Sequence, residues 1–418
     1  MSNSIRLNKY LPIAIIYFFF NSFLLPLGLL YTTLLTPIFL IWLYRYPVVS
    51  LLWLFPLVTI PFALIHFING VDILAYIKSY LLLFSVFVFC LAFRQFLKDC
   101  TTLGQIFKSL LVINLLFVLI ALIALMVPQL RDKFWYNNAI TTGVSGIYRL
   151  KMLTYEPSYY STLLVPVLMY YYFKIFFTKL PNKLLVFLVL TIPLLLSLSF
   201  GVILGMALSL LLLFMSDIKL LTLKKKLPLY IIYGGILAIL LFVTLLQLFP
   251  DNVFFIRIAN VFSGKDTSFN GRTFDSFYLG WEIASQKSIL FGVGPGQVKS
   301  IGLDFFKQFY NYSNFTQSDV GIPNSIGDTL SIFGILGVLI KLGLEIVFFF
   351  KTKVYTNFLR LTLFIFVFIY QFTGSFITNI AEYVIWIMAF SPWLFKEFNK
   401  ETVYRNHGLN NDKDVPVI

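Results

Sequence analysis

The stretch LGQIFKSLLVINLLFVLIALIALMV, residues 103–127, decides the class of fold because almost every side chain in it is apolar. After Lys108, only Ser109 and Asn114 interrupt the run. A helix of about 20 such residues crosses the roughly 30 Å hydrocarbon core of a bilayer. The stretch therefore predicts a membrane-spanning helix.

Similar runs recur along the whole chain. Of its 418 residues, 59% are hydrophobic and 12% are charged, whereas a soluble domain has about 25% charged residues. We predict an all-α fold: a polytopic transmembrane helix bundle that forms one integral membrane domain over residues 1–418. Twelve spans are predicted, near 11–25, 27–44, 47–65, 73–93, 103–127, 158–177, 184–199, 201–215, 229–249, 324–350, 358–377 and 380–395.

The distribution of Lys and Arg predicts the orientation of these spans. With the N-terminus inside, the cytoplasmic connections and tails contain 20 of the 32 basic residues. The short outward turns contain none: 21–26, 66–72, 197–201 and 378–380. This bias places both termini, including a tail over 396–418, in the cytoplasm. The net charge of +14 then indicates contact with anionic membrane lipids rather than with nucleic acid.

Two long connections are predicted on the outer face, at residues 128–157 and 250–323. Loops longer than about 15 residues are usually functional or disordered, and the many aromatic residues in these two favour order. Any chemistry is therefore expected on the outer side. Phe274, Phe277, Tyr278 and Trp281 have helical spacing. They indicate either an amphipathic helix at the membrane surface or a helix that folds back onto the bundle.

Three further patterns have simple interpretations. The glycine-rich segment 291–297 could let backbone approach a phosphate, but a tight turn that repositions the loop is the favoured interpretation. Lys341 and Glu345 are four residues apart and predict an ion pair within one helix. No His, Cys and carboxylate cluster has the spacing of metal ligands, so no metal is predicted.

Several short motifs together resemble the superfamily of bacterial O-antigen polymerases and O-antigen ligases. The matching segments are Tyr155-Glu-Pro-Ser158, Leu196-Ser-Leu-Ser-Phe-Gly201, Gly271-Arg272 followed by Trp281, Gly292-Val-Gly-Pro-Gly296, Pro323-Asn-Ser325 and Phe333-Gly-Ile-Leu-Gly337. Ligases carry a histidine between this proline and asparagine, and here Pro323 is followed directly by Asn324. The resemblance is therefore closer to the polymerases, known as Wzy-like proteins.

The resemblance implies a glycosyltransferase of the bacterial inner membrane that uses no cofactor. Such an enzyme joins undecaprenyl-pyrophosphate-linked repeat units into O-antigen or capsular polysaccharide on the outer face, and a chain-length regulator protein can be its partner. Two alternatives stay open. The first is a ligase that transfers the glycan to the lipid A-core of lipopolysaccharide, and the second is a flippase for lipid-linked oligosaccharides.

The candidate residues follow from the chemistry of that reaction. A pyrophosphate leaving group needs cations, and the planar guanidinium group of arginine matches phosphate oxygens. Glu156 is the candidate general base, because desolvation makes a carboxylate more basic. It could instead simply favour a helix N-terminus. The predicted catalytic residues are Glu156, Arg272 and Arg149, and the predicted substrate-binding residues are Arg257, Lys151, Tyr159, Gly294, Gly296 and Asn324.

Overall fold

The structure is a computed structural model that describes residues 9–26, 28–138, 147–178, 180–222, 240, 244, 246–248 and 252–407. The fold is mostly helical, as predicted. Its helices are α1 Leu11–Phe20, α2 Tyr31–Leu34, α3 Thr36–Leu43, α4 Pro47–Ile68, α5 Ile73–Asp99, α6 Leu103–Ala124, α7 Pro128–Phe134, α8 Pro157–Phe177, α9 Lys183–Leu196, α10 Phe200–Ser216, α11 Lys219–Thr222, α12 Val253–Phe262, α13 Thr267–Arg272, α14 Phe274–Ser285, α15 Val298–Tyr310, α16 Ser325–Lys351, α17 Phe358–Tyr370, α18 Ile380–Ala389 and α19 Lys400–Asn406.

Five of the described helices are long and apolar enough to cross a membrane: α4, α5, α6, α8 and α16. Five shorter apolar helices accompany them: α1, α9, α10, α17 and α18. The helix bounds follow most of the predicted spans closely, but the predicted span 27–44 is divided into α2 and α3. The predicted span 229–249 lies almost entirely outside the described residues.

Helix α8 lies at the centre of the bundle. Within the most apolar window of each helix, 72% of α8 is buried by protein but only 11% of α4. This difference explains why α8 can carry hydroxyl groups. The hydroxyl of Tyr160 donates to Asn114 Oδ1 at 2.8 Å, so a polar group in the interior has a partner, as burial requires. Because α8 is buried on every side, it holds the segment that precedes it in a fixed position.

Helix α16 is broken at Gly334, where φ is 64° and ψ is −166°. The glycine-rich segment 291–297 and the residues just before it pair with the break. Four backbone hydrogen bonds of 2.9–3.1 Å join the two segments: Val293 N to Ser331 O, Gly294 N to Ile332 O, Ile335 N to Ile289 O and Leu336 N to Leu290 O. The break therefore leaves few backbone groups without partners.

The two halves of α16 fold toward each other at this break. Lys341 Nζ lies 2.6 Å from Ser325 Oγ, whereas sixteen residues of a continuous helix span about 24 Å. The predicted ion pair between Lys341 and Glu345 is wrong, because each of the two side chains has another partner. Lys341 instead pairs with Glu382 of α18 at 3.4 Å, and Glu345 accepts a hydrogen bond of 2.8 Å from Gln371 Nε2.

The C-terminal segment up to residue 407 is folded against the bundle. Asp217, at the end of α10, accepts a 2.5 Å hydrogen bond from the Tyr404 hydroxyl and pairs with Lys400 at 3.1 Å. Val403 and Tyr404 of α19 are buried. The first part of the predicted tail 396–418 is therefore an ordered element, and residues 408–418 lie outside the described part of the chain.

The break at Gly334 gives a test of the fold. Alanine at position 334 needs a backbone conformation that costs a residue with a side chain about 1–3 kcal/mol, and its Cβ would collide with the backbone of Leu290. We expect Gly334→Ala to lower the apparent melting temperature of the purified chain strongly. Gly343→Ala is the matched control, because a Cβ there meets nothing within 4 Å. Equal melting temperatures for the two variants would contradict this account of the break.

Candidate functional site

Arg272 is placed by a sharp change of direction between two helices. It ends α13, and Thr273, with φ −106° and ψ −93°, separates that helix from α14. Asp266 caps the start of α13 by accepting a 2.7 Å hydrogen bond from the Phe269 amide. The aromatic face of α14 is exposed, with Phe274 at 74%. Its opposite face packs so closely on α16 that a Cβ at Gly280 would lie 2.8 Å from the carbonyl oxygen of Gly327.

The buried side chain of Asn324 fixes the backbone of Arg272. Its Nδ2 donates to the carbonyl oxygen of Arg272 at 2.8 Å and also to that of Phe372. Its Oδ1 accepts from the amides of Ile326 and Gly327 at 3.0 and 2.9 Å, which caps α16. One side chain therefore joins α13, the start of α16 and the segment after α17. Asn324, a predicted substrate-binding residue, holds the protein's own backbone here.

Arg272 lines a cavity of about 320 Å³, here named the Arg272 cavity. The other lining residues are Ser268, Gly271, Ser276, Leu279, Phe306, Tyr310, Phe315, Gly321, Ile322 and Pro323. Arg272 is half-buried, and among the residues that the structure describes its guanidinium group makes no hydrogen bond or ion pair. Its donors are thus available to an anion, for which arginine has suitable geometry.

Glu156 lies directly before α8, at its N-cap position, and is half-buried. Its side chain does not cap the helix but accepts a 2.5 Å hydrogen bond from Ser158 Oγ. A role in starting α8 therefore explains the position of Glu156 in the sequence. It does not explain the hydrogen bond that the Glu156 carboxylate makes. Around it, the backbone is held by Thr154 Oγ1, which donates to the Glu156 carbonyl at 2.9 Å. The amide of Tyr155 donates to Ser22 Oγ at 3.1 Å.

The charges of Glu156 and Arg272 both act electrostatically on the hydroxyls of Tyr155 and Tyr370. Burial, and next the negative charge of Glu156, raise the pKa of Tyr155, while Arg272 opposes them. The Tyr155 hydroxyl is buried and has no hydrogen-bond partner among the described residues. A buried hydroxyl without a partner is costly to the fold, and such sites are often functional.

Arg149 has a structural contact that the sequence did not predict. It lies in strand β2, Ile147–Leu150, which pairs antiparallel with β1, Trp135–Asn138. Its Nε donates to the carbonyl of Ser197 at 3.1 Å and its Nη2 to that of Leu198 at 3.4 Å. Arg149 thereby supports the turn between α9 and α10. This turn also contacts α8, because Ser161 Oγ donates to Ser197 Oγ at 2.8 Å.

The remaining predicted site residues lie in varied surroundings. Burial lowers the pKa of the Lys151 ammonium group, with Asp132 opposing the shift. Tyr159 is buried in the bundle, and its hydroxyl accepts a 3.0 Å hydrogen bond from Asn21 Nδ2. Arg257 belongs to α12, and its side chain lies outside the described part of the structure.

Gly294 and Gly296 serve close packing in the segment 291–297. Both have positive φ, 96° and 78°. A Cβ at Gly294 would lie 2.9 Å from Tyr76 Cε2, and one at Gly296 would collide with the Ala75 backbone. His66 fixes the same turn through a 2.7 Å contact between its Nε2 and the Phe291 carbonyl oxygen. The tight-turn interpretation accounts for these glycines without a phosphate.

No protein-family model matches the chain, and no curated protein matches it. The geometry of the site therefore has to support any functional assignment. Sequence reasoning missed Tyr155, Tyr370 and the aromatic residues of the Arg272 cavity. Tyr155 stood within the motif Tyr155-Glu-Pro-Ser158, but an aromatic residue at a predicted membrane boundary has an ordinary explanation as an interfacial anchor.

Substitutions at Asn324 test its role in placing Arg272. Asn324→Ser keeps an acceptor for the α16 cap but loses the two Nδ2 hydrogen bonds, and Asn324→Ala loses both functions. Loss of a cap costs about 0.5–2 kcal/mol, and each unpaired buried carbonyl costs about 1–3 kcal/mol. We expect melting temperatures of the purified chain in the order wild type, Ser, Ala. The exposed Asn314 provides the control variant Asn314→Ala, and a melting temperature of Asn324→Ala equal to that control would refute the role.

Proposed function

We propose that this protein polymerises polyprenyl-pyrophosphate-linked oligosaccharide repeat units into O-antigen or capsular polysaccharide. The observation that supports this proposal is Arg272, which lines a half-enclosed polar and aromatic cavity and whose guanidinium group has no partner among the described residues. The charges of Arg272 and Glu156 both act on the hydroxyl of Tyr155, for which the described residues provide no hydrogen-bond partner. Glycosyl transfer from a pyrophosphate-linked donor requires a cation, a hydrogen-bond donor and a carboxylate.

In the proposed reaction, the bond between the anomeric carbon of the growing glycan and its pyrophosphate breaks. Pyrophosphate leaves as a stable anion, so it needs no general acid. Arg272 binds its oxygens and neutralises the developing charge, which is the largest contribution that a preorganised site makes. The Tyr155 hydroxyl donates to the same anion. Glu156 accepts the proton of the acceptor hydroxyl as the new glycosidic bond forms.

The proposal includes the predicted membrane arrangement. Twelve spans cross the bacterial inner membrane, both termini are cytoplasmic, and the loops 128–157 and 250–323 face outward. The site then meets lipid-linked substrate on the outer face, where no nucleotide sugar is present. The remaining partners are membrane lipids and a chain-length regulator protein, and no cofactor takes part.

A flippase for lipid-linked oligosaccharides is the second candidate, and one observation favours it. Lys341, Glu345 and Glu382 lie inside the bundle, and the two carboxylates are 6% and 1% exposed. Charged residues within membrane helices often mark a transport pathway. The alternative of an O-antigen ligase gains nothing from the described geometry, because His66 is held between Tyr76 and the Phe291 carbonyl.

Arg272 variants test the proposal in cells that lack the chromosomal gene. We expect Arg272→Ala to abolish the polysaccharide ladder on a lipopolysaccharide gel and to leave core bearing one repeat unit. Arg272→Lys should restore part of the ladder, because lysine keeps the charge but not the planar pair of donors. The exposed Lys265 provides the control Lys265→Ala, which should keep a normal ladder.

The gel also separates the alternatives, provided that immunoblots show equal amounts of each variant in the membrane. Bare core with accumulated lipid-linked polymer would identify a ligase. Bare core without outward-facing units would identify a flippase. A normal ladder from Arg272→Ala would overturn the proposed role of this arginine.

Tyr155→Phe separates function from folding, because it removes only an oxygen atom that has no hydrogen-bond partner in the described part of the chain. Removal of an unsatisfied buried hydroxyl should leave the melting temperature unchanged or raise it slightly. Loss of one preorganised donor should reduce polymer synthesis by about tenfold or more. Synthesis would be measured as the ratio of ladder to single-unit bands. An unchanged ratio would remove Tyr155 from the site.

A further inference from the structure

The Arg272 cavity has two chemically different sides. Arg272 and Ser268 supply a cation and a hydroxyl group, and the hydroxyl of Ser276 donates to the carbonyl of Gly271. The end of α15 and the segment after it supply a different kind of surface. Three aromatic rings from this part of the chain line the same cavity. A site that bound only a phosphate would need the polar side alone. The aromatic side therefore calls for a separate explanation.

The three rings form one cluster rather than scattered contacts. The ring centroids of Phe306 and Tyr310 lie 6.0 Å apart, those of Phe306 and Phe315 lie 6.1 Å apart, and those of Tyr310 and Phe315 lie 5.9 Å apart. Phe306 is buried, while Tyr310 and Phe315 are half-buried. Half-buried rings within a cavity present apolar surface to a ligand, as pockets for small molecules commonly do.

Tyr310 also carries a polar group into this side of the cavity. Its hydroxyl donates to Asp275 Oδ2 at 3.1 Å. Burial and the neighbouring Asp275 raise the pKa of Tyr310, so its hydroxyl stays protonated. Because its hydrogen is used by Asp275, its oxygen is left to accept a hydrogen bond from a ligand hydroxyl. An aromatic face beside a hydroxyl acceptor suits a molecule with both apolar C–H faces and hydroxyl groups.

We propose that the Arg272 cavity binds a phosphorylated sugar ring, with its C–H face on Tyr310 and Phe315 and its phosphate on Arg272. This inference rests on the proposed function and adds to it the residues that recognise the sugar. It assigns Tyr310 and Asp275 the recognition of a ring hydroxyl. Arg272 alone would bind the phosphate of any donor, whereas these residues distinguish a sugar phosphate from phosphate itself.

The test compares ligands on the purified full-length chain in an amine-oxide detergent, whose head group carries neither sugar nor phosphate. The probes are glucose 1-phosphate, galactose 1-phosphate, N-acetylglucosamine 1-phosphate, inorganic phosphate and unphosphorylated glucose. The measurement is the half-saturating concentration for the shift in melting temperature. At least one sugar phosphate should bind about three- to tenfold more tightly than inorganic phosphate, as an aromatic contact typically provides.

The variants assign that difference to the rings. Tyr310→Ala should bring the best sugar phosphate to the same half-saturating concentration as inorganic phosphate. Arg272→Ala should weaken both. Tyr278 provides a matched control, because it stacks on Phe309 at 5.3 Å and does not line the cavity. Tyr278→Ala should therefore keep the preference for sugar phosphate.

The outcomes are distinguishable from those for the proposed function. Equal binding of every sugar phosphate and inorganic phosphate, or no stabilisation by any of them, overturns the inference about the sugar. Retention of the preference in Tyr310→Ala overturns it as well. The polymerase proposal is then still judged by the lipopolysaccharide ladder of Arg272→Ala, which does not depend on any of these binding measurements.

Discussion

The structure of the site depends on one constraint: backbone groups released by a break in an apolar helix must find hydrogen-bond partners. Ser331, Ile332 and Gly334 are buried, and a buried amide or carbonyl without a partner costs about 1–3 kcal/mol. Helix α16 breaks at Gly334, and the segment 289–294 supplies the partners through four backbone hydrogen bonds. The glycines of that segment are required because side chains would prevent such a close approach. The break and the glycine-rich turn therefore depend on each other, because the backbone of each supplies hydrogen-bond partners to the other.

This pairing positions the candidate site through Asn324. The first half of α16 is fixed at one end by the break and at the other by Asn324, which also holds the Arg272 carbonyl. Glu156 directly precedes α8, which is the most buried of the five long apolar helices, so its backbone has little freedom. A cation from the long loop and a carboxylate from the bundle are thus held by rigid elements. Such preorganisation is what electrostatic catalysis requires.

The sequence predicted the helical class and most helix positions, because an apolar run of about 20 residues has the length of a membrane-spanning helix. It did not predict the partner of Lys341. Lys341 contacts Ser325 and Glu382, which are distant in the sequence, and helical spacing alone does not reveal such partners. The sequence identified Arg272 and Glu156 as candidates by residue type and motif. Tyr155 and Tyr310 emerged only from the structure, because an unpartnered hydroxyl and a ring that lines a cavity depend on distant contacts.

Three arginines show why residue type alone does not distinguish a structural arginine from a candidate site residue. Arg360 is 2% exposed, and its guanidinium group donates to the carbonyls of Ala389 and Thr352. Arg149 donates to two carbonyls of the turn after α9. These contacts satisfy helix C-termini, where a cation also meets a favourable dipole. Arg272 also ends a helix, yet no described residue receives its donors. Arg272 is half-buried, and Asn324 holds its backbone in place. Because its guanidinium group stabilises no described part of the fold, it is better suited to binding a ligand.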